Sequence, residues 1–191
     1  MKHHIIYIPG LGDSYDGFRR RVLSSWRFYG ASVEYVPMGW YKGGSYEDRE
    51  LRIKQAIERA KLEGKTVSLI SESAGGAIAL NVFSKDTDLH RLISICAVNN
   101  PNTPVSPRIL ARSPSFKTSL QHLRSSLSNI KVERRRDITV LRSLYDPVVG
   151  VSDTVIKGVR THRMLAVGHI GAIAVTLLFY GFLVIRLVVR E

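Results

Sequence analysis

Two spacings of apolar residues alternate along the chain. Short runs rich in Ile, Val and Tyr, at residues 4–9, 32–37, 66–71, 89–98, 138–144 and 160–167, have little polar interruption and read as strands covered on both sides. Between them, residues 17–28, 47–63 and 74–83 carry apolar positions at helical spacing. The clearest of these is 47–63, where Leu51, Ile53, Ala56, Ile57 and Ala60 repeat near the helical period among Glu, Lys and Arg, and Gly64 ends the pattern. Strands alternating with helices predict an α/β fold, a mostly parallel six-stranded sheet with helices on both faces.

Residues 99–136 break this rhythm. They open with a Pro- and Ser-rich stretch and hold one weaker helical pattern, 116–130, with Leu120, Leu123 and Leu127 on one face. An insertion between two strands is expected here, either a small cap or a solvated excursion. A length of 191 residues suits one domain, 1–191, and is short for two. With 45% hydrophobic and 23% charged residues the chain is globular in balance, which excludes a disordered or collagen-like protein.

Charge adds a second theme. Lys and Arg number 28 against 16 Asp and Glu, a net charge of +12, which draws a protein toward nucleic acid, anionic lipid or acidic substrates. Residues 101–136 alone hold eight of the cations against Glu133. These cations lack interleaved aromatics and a reading motif, which argues against nucleic acid as the partner. The single cysteine, Cys96, has no internal disulfide partner and lies in an apolar run, so it reads as a buried, inert strand residue. The N-terminal residues have too short an apolar core for a signal peptide and no small-residue cleavage site, so a cytoplasmic setting is expected.

Candidate chemistry gathers at residues 68–80, where a β-branched strand turns abruptly into a small-residue helix with Ser73 at the turn. Small residues two before and two after it, Ser71 and Gly75, permit so tight a turn. The stretch resembles the nucleophile elbow of the α/β-hydrolase superfamily, and Glu72-Ser73-Ala74-Gly75-Gly76 is similar to that of many esterases, with Ser71 standing where the family usually has glycine. The resemblance implies Ser73 as nucleophile, followed along the chain by an acid after a late strand and a histidine after the last one. Asp146, in Tyr145-Asp146-Pro147, fits the acid, with Asp153 a rival in the same loop and a plain Asp-Pro turn the structural alternative. Asp137 lies at the wrong end of that strand. His169, in Gly168-His169, fits the base, and no other histidine has a comparable setting.

The turn Pro9-Gly10-Leu11-Gly12 after the first strand is similar to the family's oxyanion loop, with Pro9 where many members have His. The resemblance implies backbone amides of Leu11 and Ala74 as oxyanion donors. It covers nearly the whole chain from Ile5, as a reduced core without the family's first two strands. What it implies is a serine hydrolase that forms an acyl-enzyme with a small-molecule acyl substrate, a carboxylic ester, thioester or amide, in a shallow or open site. No cofactor and no metal are expected, since the sequence offers no ligand cluster, phosphate loop or dinucleotide fingerprint. A binding protein that keeps the scaffold without the chemistry is the competing reading.

The C-terminus is unusually apolar. Between Arg163 and Arg186 lie 22 positions with no Asp, Glu, Lys or Arg, more than the ~18 that flag a membrane span. If His169 is the base, residues 170–190 form one long apolar helix, expected to dock on the sheet rather than cross a bilayer. Its outer face would then meet an anionic membrane surface or a second copy in a homodimer, with Arg186, Arg190 and the basic insertion toward lipid headgroups.

Overall fold

The computed structural model describes residues 2–189, so Arg190 lies outside the described residues. Its centre is a six-stranded, wholly parallel sheet in the order β2-β1-β3-β4-β5-β6, formed by β1 (His3–Ile8), β2 (Ser32–Tyr35), β3 (Thr66–Glu72), β4 (Leu92–Ile95), β5 (Ile138–Arg142) and β6 (Arg160–Arg163). The chain steps from β1 outward to β2, then returns past β1 to β3 and proceeds outward to β6. Strand order therefore reverses between β1 and β3, and a crevice opens above their carboxyl ends, where open α/β sheets hold their ligands.

Alternation along the strands divides the core in two. Ile6 and Ile8 of β1 and Leu69 of β3 face one side, packed under α2 (Tyr46–Leu62), α3 (Gly75–Lys85) and α5 (Pro114–Asn129). Ile5, Tyr7 and Ile70 face the other, under α1 (Asp16–Ser25), α7 (His169–Phe179) and α8 (Gly181–Val189). The polar face of α2 begins with a capping box, in which Ser45 Oγ accepts from the Asp48 amide at 3.0 Å and Asp48 Oδ2 accepts from the Ser45 amide at 2.9 Å.

Within the insertion, two helices form where the pattern suggested one. The short α4 (Pro107–Arg112) precedes α5, each started by a proline in its first turn. The side chain of Asn81 on α3 donates to the Ser119 carbonyl at 3.0 Å, tying α5 to the face of the sheet. A further short helix, α6 (Val151–Thr154), follows β5.

The C-terminal run departs from expectation. In place of one helix over 170–190, α7 and α8 meet at an angle of 74°. Trp26 sets the corner: its Nε1 donates to the Leu177 carbonyl at 3.0 Å, satisfying one of the open carbonyls at the end of α7. A Cβ on Gly181 would lie 2.6 Å from the same nitrogen, so only glycine lets the chain turn this close to the indole. Among the described residues, no single helix is long and apolar enough to cross a membrane. Within the insertion, α5 packs on the face of the sheet opposite to α7 and α8.

Cys96 is buried, but just past the end of β4 rather than within a strand, with its backbone in the left-handed region at φ 44°. Its amide donates to the Leu141 carbonyl at 2.8 Å. Burial pushes the thiol up to about 12, so almost no thiolate exists at neutral pH. A disulfide reagent such as Ellman's is expected to leave the native protein unmodified and to titrate one thiol only after denaturation; rapid reaction of the native protein would contradict this burial.

Candidate active site

The site forms at the carboxyl ends of β1, β3, β5 and β6. Ser73 follows β3 directly and has φ 48°, a strained position for a residue with a side chain. Its backbone is clamped on both sides: the Ser73 amide donates to the Ile95 carbonyl at 3.2 Å, and the Ser73 carbonyl accepts from the Gly76 and Val98 amides at 3.0 and 2.9 Å. Glycines let neighbouring backbone press against the turn. A Cβ on Gly10 would lie 2.5 Å from the Ser73 Cβ, and one on Gly75 would lie 2.6 Å from the Ile8 carbonyl oxygen.

Three side chains far apart in sequence meet in a hydrogen-bonded chain. His169 Nε2 lies 2.8 Å from Ser73 Oγ, and His169 Nδ1 lies 2.8 Å from Asp146 Oδ2. An ionised carboxylate only accepts, so Nδ1 carries the ring proton and Nε2 is left to accept the serine proton. Asp146 is held in turn by the Val148 and Val149 amides, both 2.9 Å from Oδ1. The His169 and Asp146 side chains are more than nine-tenths buried. The rival Asp153 is engaged elsewhere, since its Oδ2 accepts from the Gly150 amide at 3.2 Å and caps α6. Asp137 pairs with Arg134 at 2.9 Å at the other end of β5.

Leu11 borders the same cavity as Ser73 and His169, and Ala74 stands at the N-terminus of α3. Among the described residues, no protein acceptor is shown for either of these two amides. The loop carrying Leu11 is anchored by Trp40, Glu72 and Arg19. Trp40 Nε1 donates to the Pro9 carbonyl at 3.0 Å, the Gly10 amide donates to Glu72 Oε1 at 3.2 Å, and Arg19 Nη1 donates to the Gly12 carbonyl at 2.8 Å. The Glu72 carboxylate, fully buried, also accepts from the Arg19 guanidinium and the Tyr7 hydroxyl. Burial by itself would lower the Arg19 guanidinium, but Glu72 beside it leaves the net shift upward. Burial, reinforced by Glu72, also raises the Tyr7 phenol well above its usual range, so it stays a donor. One signal was present in the sequence: a glutamate ending a strand buried on both sides requires a charged partner.

The cavity beside Ser73 has a volume of about 570 Å³. Its walls are apolar, with Phe18 from α1, Ile109 from α4, Val148 from the Asp146 loop, and Ile170, Ile173 and Leu177 from α7. Tyr41 closes one side, its amide 3.4 Å from Asp13 Oδ2 and the Arg112 guanidinium 4.9 Å from its ring centre. Ile109 is the insertion's contribution to this wall, while α5 covers the sheet instead. Among the described residues, no group of three or more His, Cys, Asp or Glu side chains is placed to hold a metal ion.

The sequence matches no protein-family model and no curated protein. Solved structures do match the fold. A metagenome-derived lipolytic enzyme superposes with a TM-score of 0.68 at 11% identity over 97% of this chain and 91% of its own. The esterase domain of a Rhodothermus marinus protein gives 0.64 at 16% identity, over 95% and 84% of the two chains. Carboxyl esterase 2 from the mycorrhizal fungus Tuber melanosporum gives 0.65 at 15%, over 97% and 78%.

Proposed function

We propose that this chain, an α/β hydrolase by fold, is a serine hydrolase that cleaves a carboxylic ester through an acyl-enzyme. The observation that carries the proposal is the Asp146–His169–Ser73 hydrogen-bonded chain, with both links at 2.8 Å, opening on an apolar cavity. His169 Nε2 takes the proton of Ser73 Oγ as the oxygen attacks the substrate carbonyl, and the imidazolium is stabilised by Asp146. The Leu11 and Ala74 amides receive the oxyanion. His169 then protonates the leaving group, and water activated by the same imidazole releases the acid. The solved neighbours named as esterases and as a lipolytic enzyme favour an ester over an amide or thioester, and the apolar walls favour an aliphatic or aromatic acyl group.

A fluorophosphonate probe tests this before any substrate is known. Wild-type protein is expected to form a covalent adduct at Ser73, and both Ser73→Ala and His169→Ala are expected to remain unlabelled. A folded wild-type protein that resists the probe would remove the activated serine and leave a binding protein on a hydrolase scaffold.

A further inference from the structure

The C-terminal helices direct apolar residues two ways. Ala172, Ile173, Leu177, Val184, Ile185 and Val188 are buried against the sheet, whereas Leu178, Phe179, Phe182 and Leu183 stand out at the α7–α8 corner, Phe179 with 77% of its surface exposed. The turn 26–29 adds to the same corner, since the Tyr29 ring meets Phe182 edge-on at 6.0 Å. Single exposed apolar residues are ordinary, but aromatic and aliphatic side chains gathered on one rigid corner call for an occupant.

Charge identifies that occupant. The Arg186 guanidinium lies 5.7 Å from the Phe182 ring centre, and that of Arg27 lies 5.0 Å from the ring centre of Phe28, which neighbours Tyr29. Residues 17–33 and 161–189 contain no Asp or Glu, while Arg20, Arg21, Arg27, Arg163 and Arg186 are exposed on them; Asp16, which opens α1 on this side, is engaged by Arg19 and the Tyr35 hydroxyl. A groove of about 420 Å³ beside the corner repeats the pattern, with Met164, Leu183 and Leu187 within and Arg163 and Arg186 at its sides. A second copy meeting this face about a two-fold axis would set cation against cation, which disfavours self-association. Apolar and aromatic residues flanked by Arg27, Arg163 and Arg186 instead match the boundary between lipid headgroups and acyl chains.

We propose that the α7–α8 corner docks the protein on a bilayer surface rich in anionic lipid. Phe179 and Phe182 enter the acyl boundary, and Arg27 and Arg186 meet lipid phosphates. Both helices lie along the surface, their inner faces still on the sheet. This docking depends on no assumption about the reaction.

The test is flotation of the full chain with vesicles of phosphatidylcholine alone or containing about 30% phosphatidylglycerol, at low and physiological salt. Wild-type protein is expected to float with the anionic vesicles, less so as salt rises. The double variant Phe179→Ser/Phe182→Ser should lose binding about tenfold or more, and Arg27→Glu/Arg186→Glu should lose the preference for anionic vesicles, both with unchanged circular dichroism. Equal flotation with neutral and anionic vesicles, undiminished binding by either variant, or a wild-type dimer that the Phe variant converts to a vesicle-indifferent monomer would each overturn the proposal. The last result would assign the corner to a second copy.

Discussion

Ser73→Ala and His169→Ala are each expected to lower kcat on any ester the protein turns over by about 10⁵- to 10⁶-fold, and the double variant to be no worse than either. The reason is geometric. The serine oxygen is nucleophilic only while an imidazole accepts its proton, so the single 2.8 Å link between them is broken by either change, and nothing remains for the second to remove. Asp146→Asn should be milder, about 10⁴-fold, because the imidazole survives but its Nδ1 loses the carboxylate that fixes the proton there. Steady-state kinetics on the three single variants and the Ser73/His169 double variant check this. Losses that multiply in the double variant would mean that the two residues act independently.

A second large effect is expected away from the reacting atoms. Arg19→Met strands the fully buried Glu72 carboxylate without its cation, and should cost about 3–5 kcal/mol of stability in urea unfolding. Adding Glu72→Gln to Arg19→Met should recover much of that loss, since the amide oxygen can still accept from the Gly10 amide and no charge is left buried. The double variant should nevertheless turn over substrate more slowly than wild type, because Gly12 has lost the guanidinium that holds its carbonyl. If Arg19→Met costs under about 1 kcal/mol, water rather than Arg19 compensates Glu72.

Both sets of residues bear on how far the sequence alone reveals the molecule. The strands were legible because burial on both faces leaves an uninterrupted apolar run, and the elbow because its turn demands small residues around one serine. Their edges were less so: apolar character continues past β4 to Val98, yet pairing stops at Ile95, where Cys96 takes a left-handed turn. What stayed hidden depends on partners distant along the chain. Nothing local marks Trp26 as the residue that bends a helix beginning at His169, nor pairs Glu72 with Arg19. Asp146 was favoured over Asp153 by its place just past a strand, and His169 Nδ1 lies beside Asp146 while Asp153 caps α6.

The sheet also acts as a partition between the proposed nucleophile and its base. Ser73 is clamped to central strands and to α3 in the layer shared with α2 and α5, whereas His169 opens α7, a kinked C-terminal element in the layer below. Ser73 and His169 meet over the carboxyl edge of the sheet. Helices packed on one face of a sheet can open locally at lower free energy than its central strands. Warming that loosens α7 before the central strands is therefore expected to withdraw the imidazole while the strained turn stays intact, so that fluorophosphonate labelling of Ser73 is lost below the main unfolding transition and returns on cooling.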